Sequence, residues 1–116
     1  MNWNIDNTHL NRNRFKSYRK KHERETTSCI RNLRELQEAL RNGVPFGMAK
    51  FGFLRTEGKG VYRVGQTCVI HAKETRLYFC PKGETIYPLT IGGKETQQDD
   101  IAESHKKAAK IQRGEE

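Results

Sequence analysis

Long apolar runs and a secretory signal are both missing from this chain of 116 residues. No segment approaches the roughly 18 consecutive apolar residues that a membrane-spanning helix needs. Residues 1–10 also lack the apolar stretch of a signal peptide. We therefore expect a cytoplasmic protein that does not enter a membrane.

Cysteine and histidine motifs are missing as well. The three cysteines, Cys29, Cys68 and Cys80, are separated by 39 and 12 residues, which fits neither a disulfide framework nor a Cys-x-x-Cys metal site. The four histidines form no HxH, HxxH or HExxH motif, and we keep His71, in a β-prone segment, as a candidate for proton transfer. A GxSxG nucleophile elbow is also absent. We expect reduced thiols, no metal and no cofactor.

The sequence Gly92-Gly93-Lys94 invites comparison with a phosphate-binding loop. The full motif needs a glycine where Pro88 stands and a serine or threonine where Glu95 stands, so we exclude a nucleoside triphosphate site of that kind. Two interpretations of Lys94 remain. It contributes to an anion site just before a helix N-terminus, or it is a solvated lysine in a strand-to-helix turn.

Positive charge is what the chain has in excess: 22 Lys and Arg stand against 14 Asp and Glu, a formal net charge of +8. The excess lies in residues 1–42, with ten basic and five acidic residues, and in residues 43–96, with eight and four. It favours a nucleic acid or an acidic protein as partner over an anionic membrane. The length and the 34% hydrophobic content predict a single domain over residues 1–116 with a thin core, and frayed ends at residues 1–10 and 113–116.

Helical spacing predicts two helices within residues 11–42. The first is basic, with Phe15 and Tyr18 as a narrow apolar stripe; the second begins at an N-cap within residues 26–28 and ends at Gly43. A C-terminal helix follows residue 93, where Thr96 and Asp99 have the spacing of a capping box. Between these helices, glycines separate short β-prone segments at residues 51–54, 60–64, 67–71, 76–80 and 86–91, the last two joined by a tight turn at 81–83.

Alternation within the predicted strand 76–80 places Leu77 and Phe79 on one face and Arg76 and Tyr78 on the other. If helices cover the first face, Arg76 and Tyr78 face outward together. Arginine and lysine bind phosphate, and tyrosine stacks on bases or donates a proton, so this mixture suits RNA or DNA, against the alternative of a solvated sheet face. The cations of this region are Arg55, Lys59, Arg63, Arg76 and Lys94, interleaved with Tyr62, Tyr78 and Tyr87.

Several segments occur in one order along about 60 C-terminal residues: Gly60-Val61-Tyr62-Arg63, Thr75-Arg76-Leu77-Tyr78-Phe79, Ile86 to Leu89, Lys94-Glu95-Thr96-Gln97 and Ile101-Ala102. This order resembles the RelE/ParE toxin superfamily, particularly its phage-related RelE/HigB-like branch. The resemblance implies an α+β fold, a small twisted and mainly antiparallel sheet with N-terminal helices packed on one face and a C-terminal helix. It also implies the toxin of a type II toxin-antitoxin system, which cuts mRNA on the ribosome without metal and is held inactive by a cognate antitoxin.

In that reaction the ribose 2′-OH attacks the adjacent phosphorus and leaves a 2′,3′-cyclic phosphate. By the resemblance, Arg76 contacts the scissile phosphate, Lys94 is a second phosphate or transition-state contact, and Tyr78 stacks on a base or transfers a proton. Arg63 matches a charged position on the preceding strand. The remaining predicted RNA-binding residues would lie nearby on a basic sheet face: Arg55, Lys59, Lys73 and Lys82.

The chain departs from the family pattern at one place that matters for catalysis. Where relatives often carry His-Gly-Phe before the lysine, this chain has Thr90-Ile91-Gly92, so the general base is unassigned. Two alternatives to the nuclease therefore stay open. One is a ParE-like toxin that binds DNA gyrase and cuts nothing, and the other is an RNA-binding or regulatory domain without catalysis.

Overall fold

The computed structural model describes residues 2–114 of the chain. Its fold is α+β, as predicted, with three helices and a five-stranded sheet. Two short 3₁₀ turns span Phe46–Met48 and Lys94–Thr96. The elements in chain order are β1 (Asn4–Ile5), α1 (Arg12–Lys21), α2 (Glu23–Arg41), β2 (Leu54–Gly58), β3 (Val61–Gly65), β4 (Arg76–Lys82), β5 (Thr85–Gly92) and α3 (Gln97–Gln112).

The sheet has the order β1-β5-β4-β3-β2, with β1 parallel to β5 and every other pair antiparallel. The predicted hairpin of the last two strands is confirmed, with Gly83 at φ +61° in its two-residue turn. The predicted strand at residues 67–71 is wrong. Cys68 and His71 there have φ of +57° and +54°, a left-handed backbone that cannot continue a strand.

Helices α1 and α2 are nearly continuous, since only His22 separates them. The predicted N-cap at residues 26–28 is wrong, because α2 already begins at Glu23. Ser28 instead faces the interior, where its hydroxyl donates to the Thr67 carbonyl (2.9 Å) and accepts from the Thr67 N–H (2.8 Å). This serine therefore fixes the loop before β4 rather than starting a helix.

Two separate cores lie on opposite faces of the sheet. On one face, Leu33, Leu36 and Leu40 of α2 pack with inward residues of β3, β4 and β5, including Leu77 and Phe79. On the other face, α3 contributes Ala108 and Ile111, which pack with the following sheet residues: Val61, Tyr78, Cys80 and Leu89. The sheet is thus covered by helices on both sides.

The N-terminal segment is part of the first core. Trp3 is 8% exposed, and its carbonyl accepts hydrogen bonds from Gln37 Nε2 and Arg41 Nε, each at 2.9 Å. With β1 paired to β5, the predicted fraying of residues 1–10 does not hold for residues 3–5. At the other predicted frayed end, residues 113 and 114 form a turn after α3, and residues 115–116 lie outside the described residues.

The start of α3 differs from the predicted capping box. Thr96 is the N-cap residue, but its hydroxyl donates to Asp100 Oδ2 (2.6 Å) and not to the helix backbone. Asp99, the proposed partner, is exposed. Among the described residues, no helix is both long and apolar enough to cross a membrane.

Candidate functional site

Strand β4 places Arg76 and Tyr78 on the sheet face opposite α2. The predicted alternation is confirmed for Leu77 and Phe79, which belong to the α2 core. The expectation that Arg76 and Tyr78 face solvent is wrong: Tyr78 is fully buried and Arg76 is 6% exposed. The physical reason is α3, which lies over this face and packs on Tyr78 and its neighbours.

Several buried polar atoms on this face lack a hydrogen-bond partner. Within residues 2–114 they include Arg76 Nε and Nη1, Tyr78 OH and Thr90 Oγ1, together with Ser104 Oγ from the buried side of α3. Tyr78 and Thr90 are opposite each other in the β4–β5 register. A buried polar group without a partner costs about 1–3 kcal/mol. These unpaired polar groups therefore make this layer less stable than an interior of apolar side chains would be.

Charged groups surround the Tyr78 phenol. Burial raises the pKa of Tyr78 from its ordinary 10.0 to about 12; Arg76 and Arg63 oppose that rise, and Asp100 and Glu57 add to it. Arg63 Nε lies 3.2 Å from Glu57 Oε2. At neutral pH the phenol is therefore fully protonated, so it can donate a proton but cannot act as a base.

The Arg76 guanidinium is connected to the surface through Glu74. Arg76 Nη2 donates to Glu74 Oε1 at 2.7 Å, and the Glu74 side chain is 57% exposed. Glu74 lines an open notch of about 390 Å³ with Lys73, Lys94 and Glu95. The structure thus brings Lys94 and Lys73 to one surface opening, with Arg76 behind the Glu74 carboxylate.

A second hollow of about 320 Å³ adjoins the notch and shares Lys73 and Glu95 with it. Lys73 and Glu95 form an ion pair, which raises the pKa of Lys73 and lowers that of Glu95. Across this hollow, α1 and the residue after it contribute Arg14, Tyr18 and His22. Tyr18 shares a hydrogen bond with Thr75 (2.8 Å), and burial raises the pKa of its phenol. The hollow is cationic overall and holds a side chain that can accept a proton, His22.

Asp100 connects α1 to the sheet face that α3 covers. Its side chain is fully buried, Arg14 Nη1 donates to its Oδ1 at 2.8 Å, and Thr96 donates to its other oxygen. Burial raises the pKa of Asp100 and outweighs these bonds, which lower it. The carboxylate approaches the backbone at Gly92, where a Cβ would overlap Asp100 Oδ2 and come within 2.6 Å of Thr96 Oγ1. The glycine that ends β5 is therefore needed for this close approach.

The other predicted RNA-binding residues are not gathered at this place. Arg55 and Lys59 lie on and just after the edge strand β2; Arg55 donates to the Gly52 and Leu54 carbonyls, and Lys59 has φ +53°. Lys82 is about 20 Å from Arg76 along β4. Its ammonium donates to the Ile111 carbonyl (2.8 Å) at the end of α3, so in this structure it holds a helix terminus.

Several residues of this region were not predicted from the sequence as site residues, among them Arg14, Tyr18, His22, Glu74 and Asp100. A signal existed for part of the set, since Arg14, Tyr18 and His22 are spaced by four residues and therefore share one helix face. Nothing local identifies Glu74 or Asp100, because their partners come from other elements. His71, the histidine kept for proton transfer, lies exposed in the loop before β4.

Among residues 2–114, no three histidine, cysteine, aspartate or glutamate side chains converge in a group that could hold a metal ion. No protein-family model, curated protein or solved structure matches the chain. The assignment of a function therefore depends on the residues and their arrangement.

Proposed function

We propose that this protein is the toxin of a type II toxin-antitoxin system, a ribosome-dependent mRNA endoribonuclease that works without metal. The observation that carries the proposal is the Arg76 guanidinium. It is almost fully buried, two of its nitrogens have no partner among the described residues, and the third is held by an exposed carboxylate at a cationic notch. That combination suits the binding of a phosphate group.

Glu74 occupies the place that a phosphate oxygen would take on Arg76. Glu74 is more than half exposed and can move into solvent, but opening the ion pair leaves the buried Arg76 guanidinium without a partner among the described residues. A phosphate that takes the place of the carboxylate removes that cost. A phosphodiester can replace the Glu74 carboxylate on Arg76 Nη2. Arginine binds phosphate with two parallel hydrogen bonds, and for the second bond the Arg76 side chain must shift outward, because its Nε and Nη1 are buried. Lys94 and Lys73, on the same notch, add positive charge beside that position.

In the proposed reaction the ribose 2′-oxygen attacks phosphorus, forming the P–O2′ bond while the P–O5′ bond breaks. The products are a 2′,3′-cyclic phosphate and a 5′-hydroxyl. Arg76 and Lys94 stabilise the extra negative charge of the phosphorane. Tyr78, protonated at neutral pH, is suited to donate a proton to the departing O5′, and α3 must move for the substrate to reach it. His22 in the adjoining hollow can accept the 2′-proton.

The experiment is inducible expression in bacteria, with growth measurement and mapping of mRNA 5′ ends. We expect the wild-type chain to stop growth and create new 5′ ends within coding regions. Lys94→Ala, at an exposed position, and Arg76→Lys, which keeps a cation, should each abolish both effects while the purified variants keep the wild-type circular dichroism spectrum. Lys110→Ala on α3 removes one exposed charge elsewhere and should behave as wild type. Cleavage that persists in both site variants contradicts the proposal.

Glu74→Gln tests the role of the carboxylate beside Arg76. If Glu74 only shields the guanidinium, the variant binds RNA more tightly and cleaves at least as well as wild type. Loss of cleavage despite tighter RNA binding would instead identify Glu74 as a proton acceptor in the reaction. Unchanged RNA affinity contradicts the idea that phosphate replaces this carboxylate. The measurements are fluorescence anisotropy with a labelled RNA and 5′-end mapping.

A second candidate function is RNA binding without cleavage, and the coverage of Tyr78 by α3 favours it. In that case the purified protein binds RNA, expression is harmless, and no new 5′ ends appear. Each phosphate contact should contribute about 0.7 to the slope of log affinity against log salt concentration for single-stranded RNA. Growth arrest with DNA-damage signalling and intact mRNA would indicate the gyrase-binding alternative.

A further inference from the structure

Three pockets that share lining residues form a depression along α1 and α2. Lys16, Arg19 and Lys20 line its first part, and Arg31 and Arg34 line its second, with Arg19 and Glu23 common to both. The third part is an apolar cavity, which shares Arg34 with the second part and Phe15 with the first. The first two parts form a cationic groove, which we call the α1–α2 groove, and the apolar cavity adjoins it.

The cavity has a volume of about 210 Å³, and seven of its nine lining residues are apolar. Leu10, Phe15, Ile30 and Leu33 are among them, and Arg34 stands at its polar border. A hydrocarbon-lined cavity of roughly 150 Å³ already accommodates a benzene ring. The space therefore fits one leucine-, isoleucine- or phenylalanine-sized side chain, and it is smaller than the roughly 300–1,000 Å³ of typical small-molecule pockets.

The cations of the α1–α2 groove are available to a partner. All five side chains are exposed, and within residues 2–114 none of them forms an ion pair. Glu23 is the single carboxylate among the residues that line the groove and the cavity. The groove therefore presents a net charge that attracts an anionic chain.

The apolar cavity favours a protein over an RNA as the occupant. An RNA phosphate gains nothing from an apolar cavity, and a nucleobase would bury polar edge atoms where only Asn7 and Arg34 offer polar groups. An aliphatic or phenyl side chain has no such atoms. A peptide with one apolar residue flanked by carboxylates complements both parts of the surface.

We propose that the α1–α2 groove docks an acidic, amphipathic segment of a partner protein, with one apolar side chain inserted into the cavity and carboxylates paired with Arg19, Arg31 and Arg34. This is the helix-in-groove type of recognition, in which a buried apolar anchor supplies most of the affinity and surrounding charges supply orientation and association rate. The cavity is lined in part by Leu77, which lies on the sheet face opposite α3, and docking there does not depend on RNA cleavage.

The test uses the full chain and a short fluorescein-labelled acidic peptide with a single central leucine, together with the same peptide carrying serine at that position. We expect the leucine peptide to bind roughly tenfold more tightly, because burial of one leucine side chain supplies a factor of that order. Ile30→Phe, which fills the cavity, should remove this difference between the peptides. The double variant Arg31→Ala/Arg34→Ala should weaken both peptides.

The matched control is Lys106→Ala/Lys110→Ala, which removes the same charge from exposed positions on α3 and should leave both affinities unchanged. Thermal unfolding of each variant excludes loss of fold as the cause. Equal binding of the leucine and serine peptides to the wild-type chain overturns the proposal. So does a single-stranded RNA of equal charge whose affinity falls more in Arg31→Ala/Arg34→Ala than that of the leucine peptide, because RNA would then be the occupant of the groove.

Discussion

The unpaired polar groups beneath α3 predict a change in stability that can be tested by removing a single hydroxyl group. The Tyr78 hydroxyl is fully buried and has no hydrogen-bond partner among the described residues. Tyr78→Phe removes this hydroxyl and keeps the ring. We therefore expect the variant to be more stable than wild type, whereas loss of a buried side-chain group usually destabilises a protein.

The expected gain follows from the cost of the unpaired group. Burial of a polar atom without a partner costs about 1–3 kcal/mol, so its removal stabilises the fold. The small cavity left by the missing oxygen cancels part of that gain. A net gain of about 1 kcal/mol corresponds to a rise in Tm of roughly 4 °C for a domain of this size. Thr90→Val, at the position opposite Tyr78, should act in the same direction for the same reason.

Urea unfolding followed by circular dichroism measures these effects. Tyr62→Phe is the matched control, because Tyr62 is only partly buried, and its stability should change by less than about 0.5 kcal/mol. A Tyr78→Phe variant less stable than wild type by 1 kcal/mol or more would refute the reasoning. It would mean that the hydroxyl is hydrogen-bonded in solution, for instance to a trapped water.

The same residue predicts a pH dependence. The pKa of Tyr78 is raised by burial from 10.0 to about 12 in the folded chain, so the folded state keeps a proton that the unfolded state releases above pH 10. The free energy of unfolding should then fall between pH 10 and pH 12, and Tyr78→Phe should remove this part of the fall. Below pH 10 the difference between wild type and variant should not change with pH.

Three further predictions concern the close packing of the fold. Gly92→Ala should lower stability by about 1–3 kcal/mol, since a Cβ would overlap Asp100, whereas Gly47→Ala meets no atom within 4 Å and should be nearly neutral, both measured by urea unfolding. Trp3→Ala should cost about 3–5 kcal/mol in the same assay, and a loss below 1 kcal/mol would show that the N-terminal segment is not docked. A thiol reagent should modify Cys68 rapidly in the native protein and the other two cysteines only on unfolding.

Local pattern was sufficient to predict much of the sheet. Period-two alternation correctly assigned Leu77 and Phe79 to the core beneath α2, and the turn residues near Gly83 located the β4–β5 hairpin. Such signals are local, because side chains alternate along one strand whatever its neighbours are. The two-residue strand β1 gave no such signal, and its place depends on distant contacts of Trp3.

The candidate site was harder to predict because it depends on which sheet face α3 covers. The helix itself was expected, but Ser104 and Ala108 on its buried side are small, and their spacing does not say what they contact. The outward orientation assigned to Tyr78 assumed an open face. The role of Arg76 as a phosphate contact stays a prediction, and its partner Glu74 is identified only from the fold.

The pairing of β1 with β5 has a consequence for how the protein is made. Asn4 pairs with Thr85, so β1 can enter the sheet only after β5, the last of the five described strands, has been synthesised. Until β5 is complete, Trp3 and the apolar side of α2 lack their final neighbours. Contacts between such distant segments slow folding and lengthen the exposure of apolar surface. A growth inhibitor of the proposed kind would therefore lack its complete sheet until β5 has been made, which leaves time for a partner or a protease to reach the nascent chain.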